Sequence, residues 1–235
     1  MVEWSIEAFR AAEGVRSIVV AVPPGLEEGV WEEQMLGGGG VDAMSGGAGA
    51  EEGGIDLVAG GATRAESVSH ALEVVGTELV AIHDAARPLV TTELIEATIA
   101  TLVADPDADG AIAATPVTDT VKRVRGRDDA SPEGSGASDP TRAPLFSHEM
   151  NNGARVVETT LDRGRLWGAQ TPQVFRAEAL RAALAGAERG AEATDEAMLI
   201  EAVGGKVLIH PAPAENLKVT APLDLRVAEL LLGDR

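Results

Sequence analysis

The sequence contains no cysteine, and only 3% of its residues are aromatic. The lack of cysteine excludes disulfides, thiolate catalysis and cysteine-based zinc sites. The 4 histidines show no metal-ligand spacing either. Because aromatic residues are so scarce, the 45% of hydrophobic residues must form a core mainly of Ala, Val, Leu and Ile.

Long apolar runs and basic residues are also lacking. No apolar run approaches the roughly 20 residues that span a bilayer, and the amphipathic start MVEWSIEAFR lacks the apolar segment of a signal peptide. We therefore expect a cytoplasmic protein with no membrane partner. The formal net charge of −19 argues against nucleic acid as a partner. A local basic cluster would have to hold any anionic substrate.

What the sequence does contain is an alternation of apolar runs and helical spacing. Continuous apolar runs predict buried strands at 16–22, 55–60, 78–84, 110–117 and 206–213. Helical spacing occurs at 3–14, 64–76, 91–105, 177–190, 194–205 and 221–233. This alternation predicts an α/β fold in which a Rossmann-like, mostly parallel sheet carries helices on both faces. The length of 235 residues suits a single domain.

Two stretches interrupt the alternation. Residues 36–54 are Gly-rich but lack the Lys and Ser/Thr spacing of a phosphate-binding loop, so a flexible loop is the favoured interpretation. Residues 125–144 are polar and separate two strand-like segments, 118–124 and 152–161. This pattern predicts a projecting β-arm, about 118–164, with a long disordered tip.

The chain opens on a helix, whereas a protein of this class usually opens on a strand and a Gly-rich turn. The first strand of a doubly wound sheet is commonly central, because the strand order reverses beside it. A sheet without that strand would expose the edges of its neighbours. We therefore expect Met1 to lie downstream of the true start.

Polar clusters follow several predicted strands, at the sheet edge where α/β proteins bind ligands. In HDAARP (83–88), Asp84 could ligate a hard cation and Arg87 could bind phosphate; a local ion pair is the equally weighted alternative. GGATRAESV (60–68) offers backbone and Ser67 to a ligand, or forms a tight turn with a capped helix.

Two further clusters have similar alternatives. TDTVKR (118–123) places Thr120 at a strand end, although solvated strand residues explain it as well. ENLKVTAPLDL (215–225) places Lys218 in an apolar setting, which a surface lysine with a buried stem also explains. TPQVF and TDEA are weaker signals, and helix capping accounts for the second. Three clusters at strand ends could meet in one crevice.

In this order, these segments resemble the 2-C-methyl-D-erythritol 4-phosphate cytidylyltransferases of the non-mevalonate isoprenoid pathway. The resemblance covers nearly the whole chain through EWSIEAF, SIVVAV, GGATRAESV, HDAARP, ATPVTDTVKR, LDRGRLWGAQTPQVF, ATDEA and ENLKVTAPLDL. HDAARP, TPQVF and NLKVT at this spacing are highly specific together, though none is so alone. Cytidylyltransferases for ribitol 5-phosphate look similar in the same motifs.

The resemblance implies a homodimer clasped by β-arms and Mg²⁺-dependent transfer of CMP from CTP to a sugar-alcohol phosphate. It implies that the cytidine is held by Gly61, Ser67 and Ala85. The catalytic residues would be Asp84, which also ligates the metal, together with Arg163 and Lys218. Arg163, beside the arm, would reach the site of the neighbouring subunit. Further substrate contacts would come from Arg87, Thr120, Thr171 and Thr194.

The sequence departs from the family pattern in two places. Family members often carry an acidic residue where Ala62 stands. They also open with a Gly-rich loop of the type AAGxGxRxG…PK, whose Arg and Lys stabilise charge on the transferring phosphoryl group. Since losing one preorganised stabiliser costs ~10²–10³ in rate, we expect the 235-residue polypeptide to be inactive or nearly so. The alternatives are an enzyme for ribitol 5-phosphate or another alditol phosphate, and a non-catalytic homologue.

Overall fold

The computed structural model describes residues 1–25, 54–125, 155–186 and 194–233. They belong to two compact units, Met1–Thr115 with Ala169–Arg235, and Pro116–Gly168. Most of the Gly-rich stretch and of the predicted arm tip lies outside the described residues. No helix in the described parts of the chain has both the length and the apolar character that a membrane span requires.

Helices and strands alternate along the chain. The helices are α1 (Val2–Ala11), α2 (Arg64–Val74), α3 (Thr92–Val103), α4 (Ala177–Gly186), α5 (Glu196–Ala202) and α6 (Pro222–Gly233). The strands are β1 (Ile18–Val22), β2 (Ile55–Ala59), β3 (Leu79–Ile82), β4 (Gly110–Pro116), β5 (Lys122–Val124), β6 (Val157–Thr160), β7 (Trp167–Arg176) and β8 (Val207–Pro211). The predicted alternation of strands and helices is therefore found.

The strands of the first unit form two ladders. β1 and β2 are parallel, with Ile18 opposite Ile55. The second ladder has the order β3-β7-β4-β8. In it, β4 and β8 are parallel, while β3 and β7 are antiparallel, with Val80 opposite Phe175. Among the described residues, β1 and β3 each have one strand neighbour. The second unit contains the antiparallel pair β5 and β6.

Strand β7 lies inside its sheet, although its sequence WGAQTPQVFR does not predict a strand. Proline is normally confined to edge strands and bulges, and polar residues interrupt the apolar pattern. Gln170, Thr171 and Gln173 are nevertheless buried, at 7%, 3% and 2% exposure. Their polar groups take part in hydrogen bonds with distant segments, so tertiary contacts keep this strand in the interior.

The core consists mainly of small aliphatic residues, as the composition predicts. One cluster packs Phe175 and Leu180 against Ile200, joining β7, α4 and α5. Another packs Phe9 of α1 against Ile95 of α3. These clusters hold the helices against the sheets and so fix the positions of the turns that follow the strands.

Gly110 shows how tightly the core is packed. A Cβ atom at this position would lie 2.5 Å from Cδ1 of Phe175 and 3.3 Å from the carbonyl oxygen of Val174. We expect Gly110→Ala to lower the free energy of unfolding by about 1–3 kcal/mol, as measured by urea denaturation. Gly76→Ala, where a Cβ meets nothing within 4 Å, is the control and should change it by less than about 0.5 kcal/mol. Equal effects of the two substitutions would contradict this packing.

Candidate functional site

Asp84 lies in the turn after β3, and both of its carboxylate oxygens are paired with cations. Lys218 donates from Nζ to Oδ2 at 2.8 Å, and Arg64 donates from Nη2 to Oδ1 at 3.3 Å. Burial would raise the pKa of Asp84, but the hydrogen bonds and charges of Lys218 and Arg64 outweigh it and hold the pKa below its ordinary value. The carboxylate is therefore ionised at neutral pH, and its cations come from two other segments of the chain.

Arg64 also joins Asp84 to a second, more deeply buried carboxylate. Its Nη1 donates to Oε2 of Glu196, whose side chain is 2% exposed. Burial raises the pKa of Glu196 above its ordinary value, although the charge and hydrogen bond of Arg64 oppose this. The sequence predicts neither Arg64 nor Glu196 as a site residue. They lie in the motifs GGATRAESV and ATDEA, but nothing local signals a contact across 132 residues.

Arg87 is buried, at 9% exposure. It donates from Nη1 to the carbonyl oxygen of Asn216 at 2.8 Å and from Nη2 to that of Ala169 at 3.4 Å. Burial lowers the pKa of its guanidinium from the ordinary value, partly opposed by the charge of Asp84. In the structure, Arg87 thus ties the turn after β3 to two distant backbone segments. Its contact with a substrate phosphate stays a prediction.

A buried hydrogen-bond network positions the segment that carries Lys218. Asn216, at 1% exposure, donates from Nδ2 to Oε1 of Gln170 at 2.8 Å and to the carbonyl oxygen of Thr171 at 2.9 Å. Two residues later, Lys218 reaches Asp84. Because buried amides are costly to leave unpaired, this network fixes the direction from which the lysine approaches.

Thr171 links this network to the turn after β3. Its Oγ1 accepts from the backbone N–H of Asp84 at 3.1 Å and lies 2.9 Å from Nδ1 of His83. The other ring nitrogen of His83 lies 3.2 Å from the carbonyl oxygen of Arg87. Thr171, which the sequence predicts as a site residue, is therefore brought next to Asp84.

His83 is expected to make stability depend on pH. Burial lowers the pKa of its ring from 6.5 to about 4. Between these pH values the unfolded chain binds more protons, so the stability that neutral His83 contributes is present above pH 6.5 and is lost as the pH falls towards 4. Urea denaturation at several pH values in this window measures how steeply the free energy of unfolding rises with pH. We expect His83→Gln to make this rise less steep by up to about 1.4 kcal/mol per pH unit. An imidazole NMR titration of His83 with a midpoint near 6.5 would contradict this expectation.

The glycine turn before α2 is closed by a capping box. Thr63 caps the helix by accepting from the backbone N–H of Glu66, whose carboxylate accepts from the N–H groups of Ala62 and Thr63. Gly61 donates from its N–H to Oγ of Ser67 at 3.0 Å. A Cβ at Gly61 would lie 2.2 Å from Cβ of Glu66, so a larger residue does not fit there. The tight turn and capped helix are thus both present.

Two residues predicted to hold cytidine share a cavity with the charged residues. Ser67 and Ala85 line the same cavity as Arg64 and Asp84. This brings the GGATRAESV and HDAARP motifs to one place in the first unit. The contacts of Gly61, Ser67 and Ala85 with a nucleotide stay predictions.

Three other predicted residues make contacts of their own. Thr194 precedes α5 and donates from Oγ1 to Sδ of Met198 at 2.9 Å. Thr120 and Arg163 belong to the second unit, where Arg163 donates from Nη1 to the carbonyl oxygen of Thr118. Their contacts with a substrate stay predictions.

The carboxylates near Asp84 offer few metal ligands. Within the described ranges, no group of three or more His, Cys, Asp or Glu residues is placed to hold a metal ion. Mg²⁺ is commonly bound by one or two carboxylates together with substrate phosphates. Asp84 supplies one carboxylate between two cations that suit phosphate. This donor set fits Mg²⁺ when phosphate oxygens complete it.

The fold and the site together define an α/β protein in which two cations, Lys218 and Arg64, converge on the carboxylate of Asp84 after strand β3. The sequence profile described as 2-C-methyl-D-erythritol 4-phosphate cytidylyltransferase matches residues 1–130 and 147–234. The chain belongs to this family. The resemblance that the motifs indicate is thereby confirmed.

Curated relatives agree with this assignment. A bifunctional enzyme IspD/IspF of Anaeromyxobacter sp. (strain Fw109-5) is 41% identical over 229 residues, 96% of this chain and 48% of the relative. A 2-C-methyl-D-erythritol 4-phosphate cytidylyltransferase of Haemophilus influenzae (strain PittEE) is 41% identical over 181 residues, 76% of this chain and 67% of the relative. The chain thus spans about half the length of the bifunctional relatives that it matches.

Solved structures confirm the Rossmann-like α/β fold. The 2-C-methyl-D-erythritol 4-phosphate cytidylyltransferase of Thermus thermophilus superposes with a TM-score of 0.65 at 31% identity, covering 99% of this chain and 88% of that chain. The 4-diphosphocytidyl-2C-methyl-D-erythritol synthase of Anaerococcus prevotii has a TM-score of 0.70 at 22% identity. The superposition covers 99% of this chain and 88% of that chain. The second likeness concerns the fold alone.

Proposed function

We propose that the chain acts in the cytoplasm as a cytidylyltransferase of non-mevalonate isoprenoid biosynthesis. The reaction transfers CMP from CTP to 2-C-methyl-D-erythritol 4-phosphate, giving 4-diphosphocytidyl-2-C-methylerythritol and pyrophosphate. Family membership supports this choice of reaction. The structural observation that carries it is the convergence of Lys218 and Arg64 on Asp84.

The chemistry requires positioning and charge neutralisation more than proton transfer. A phosphate oxygen of methylerythritol phosphate attacks the α-phosphorus of CTP in line, and pyrophosphate leaves. The side chains of Lys218 and Arg64 are 44% and 32% exposed, so both can turn from Asp84 towards phosphate oxygens. Their donors would then stabilise the charge that develops on the transferring group.

Asp84 is the residue that would hold Mg²⁺ in this site. Once Lys218 and Arg64 bind phosphate, both carboxylate oxygens of Asp84 are free to act as ligands. When bound, Mg²⁺ supplies further neutralisation of the phosphate charge. The low pKa of Asp84 keeps the carboxylate ionised for this purpose.

The proposal includes a homodimer, for which family membership is the support. In that assembly, Arg163 of one protomer would position methylerythritol phosphate in the site of its partner. Light scattering coupled to size-exclusion chromatography should give the mass of two chains. A mass of 24.2 kDa, that of one chain, would remove this part of the proposal.

Nucleotide binding tests the proposal independently of turnover. In isothermal titration calorimetry with Mg²⁺, we expect CTP to bind at least about 10-fold more tightly than UTP or ATP, because a base-specific pocket leaves polar groups unpaired with the wrong base. Absence of binding to all three nucleotides would favour the non-catalytic homologue. Release of pyrophosphate with ribitol 5-phosphate in preference to methylerythritol phosphate would favour the other alditol.

A further inference from the structure

Glu196 is a buried carboxylate to which the proposed reaction gives no role. It begins α5, and its side chain is 2% exposed. Other residues of this helix, Ala197, Leu199 and Ile200, pack into an apolar cluster. Carboxylates are almost never buried so completely unless they are paired. Because apolar residues can often replace a buried ion pair without loss of stability, the contact of Glu196 with Arg64 points to a role in geometry.

The place of Glu196 is fixed from the side of strand β7. Asp195, the residue before it, caps α5 by accepting from the backbone N–H of Met198 at 3.0 Å. The other carboxylate oxygen of Asp195 accepts from Nε2 of Gln173 at 3.2 Å. Gln173 is buried in β7, opposite Ile82 of β3. Both oxygens of Asp195 are thus occupied, one by the helix and one by an inner strand, so the start of α5 is held against the sheet.

Arg64 is in turn held at both of its ends. Its backbone begins α2, directly after the capping box formed by Thr63 and Glu66. Its Nη1 donates to Glu196, while its Nη2 donates to Asp84 at 3.3 Å. A guanidinium is a rigid planar fork, so a fixed Nη1 also limits where Nη2 can point. Glu196 therefore sets the direction from which Arg64 meets Asp84.

The two cations that contact Asp84 differ in this respect. Lys218 is the more exposed of the two, and its ammonium is a point charge on a flexible stem. Arg64 can exchange Asp84 for another anion by a small rotation about its contact with Glu196. Donors that are oriented before the reaction stabilise developing charge without a cost of reorganisation. Arg64 is thus the cation whose direction is set in advance.

We propose that Glu196 is a positioning residue that acts through Arg64. It holds Nη1 of the guanidinium, so that Nη2 alone exchanges Asp84 for a phosphate oxygen of the nucleotide. Without this acceptor, both Nη groups are free to close on Asp84 as a bidentate pair, which competes with phosphate. This role rests on the proposed function, because it concerns the phosphate that the proposed reaction brings to Arg64.

The test compares two substitutions that remove the same charge. Glu196→Gln keeps a side-chain oxygen that can accept from Nη1, whereas Glu196→Met has a similar length and no such acceptor. In calorimetric titrations with CTP and Mg²⁺, we expect Glu196→Gln to bind within about 3-fold of the unsubstituted chain. Glu196→Met should bind at least about 10-fold more weakly, because a charged donor to phosphate loses its orientation. Equal affinities of the two variants would overturn the proposal.

Two controls separate positioning from support of the fold. Glu201→Met, at an exposed position of the same helix, should leave the affinity for CTP unchanged. In chains that also carry Arg64→Met, the variants Glu196→Gln and Glu196→Met should bind CTP equally, within about 2-fold. If Glu196 only supported the fold, Glu196→Met would weaken binding whether or not Arg64 is present. A difference that persists without Arg64 would therefore also overturn the proposal.

NMR of the Arg64 guanidinium tests the contact without any nucleotide. The Nη groups of an arginine held in one orientation give separate ¹⁵N signals, because rotation about the bonds to Cζ is slow. We expect separate signals in the unsubstituted chain and in Glu196→Gln, and averaged signals in Glu196→Met. Averaged signals in all three would show that Glu196 does not hold Arg64. If the unsubstituted chain bound no CTP, the proposed reaction would fail, while separate signals that depend on Glu196 would still support its hold on Arg64.

Discussion

Asp84→Asn is expected to change CTP binding in opposite directions with and without Mg²⁺. Without Mg²⁺, the carboxylate competes with phosphate for Lys218 and Arg64. Its removal should strengthen binding about 2–5-fold, the range of a partly exposed ion pair. With Mg²⁺, the same substitution removes the proposed metal ligand and should weaken binding by about 10–100-fold. Calorimetric titrations of CTP in EDTA and in excess Mg²⁺ measure both effects.

Two variants control this experiment. Lys218→Met should weaken CTP binding under both conditions, because a phosphate donor is lost while the carboxylate remains. Asp107→Asn, which changes an exposed carboxylate between α3 and β4, should leave both affinities unchanged. If Asp84→Asn weakened binding equally with and without Mg²⁺, the proposed role of Asp84 as a metal ligand would be wrong.

Arg64→Met is expected to be the most destabilising of the substitutions considered. It retains much of the apolar stem but leaves Glu196, 2% exposed, without its cation. Removing one partner of a buried ion pair typically costs about 3–5 kcal/mol. Because Arg64 itself is 32% exposed, we expect a loss near the lower end, about 3 kcal/mol at pH 8. Urea denaturation with intrinsic tryptophan fluorescence measures this loss.

The pH dependence of this loss identifies its cause. The pKa of Glu196 is already raised by burial, and without Arg64 it should rise further above its unfolded value. The folded variant then binds a proton more readily than the unfolded chain, so the variant should recover stability as the pH falls towards 5. The double variant Arg64→Met/Glu196→Gln should lose much less than the sum of the single losses, since no charge remains unpaired. If the loss of stability in the double variant equalled the sum of the two single losses, the ion pair between Arg64 and Glu196 would be contradicted.

The positions of most strands follow from the apolar runs. Residues 18–22, 55–59 and 110–116 are strands where the sequence predicts them, because continuous β-branched and small apolar residues favour strands buried on both faces. Strand β7 is the exception. Its polar residues and proline give no such signal, and its place depends on contacts between Gln170 and Asn216 across 46 residues.

The sequence identifies the region of the site better than it identifies the contacts within it. HDAARP and NLKVT predict Asp84 and Lys218 as site residues, and the structure joins them at 2.8 Å. The same motifs suggest Asp84 with Arg87 as the local ion-pair alternative. In the structure, Asp84 is paired with Lys218 and Arg64, while Arg87 donates to backbone carbonyl oxygens. Neighbours in sequence need not point in the same direction in a turn.

The sequence by itself determines the family, the α/β class and the exclusion of disulfides and thiolate catalysis. Each of these depends only on which residues are present and in what order. The tertiary structure alone decides that Arg64 bridges Asp84 and Glu196, and that Asn216 binds the backbone of Thr171. These features arise from residues that are distant in the chain. The distances between these residues, their burial and their charge pairing are set only when the sheets and helices pack. No local sequence pattern encodes which segments will be in contact.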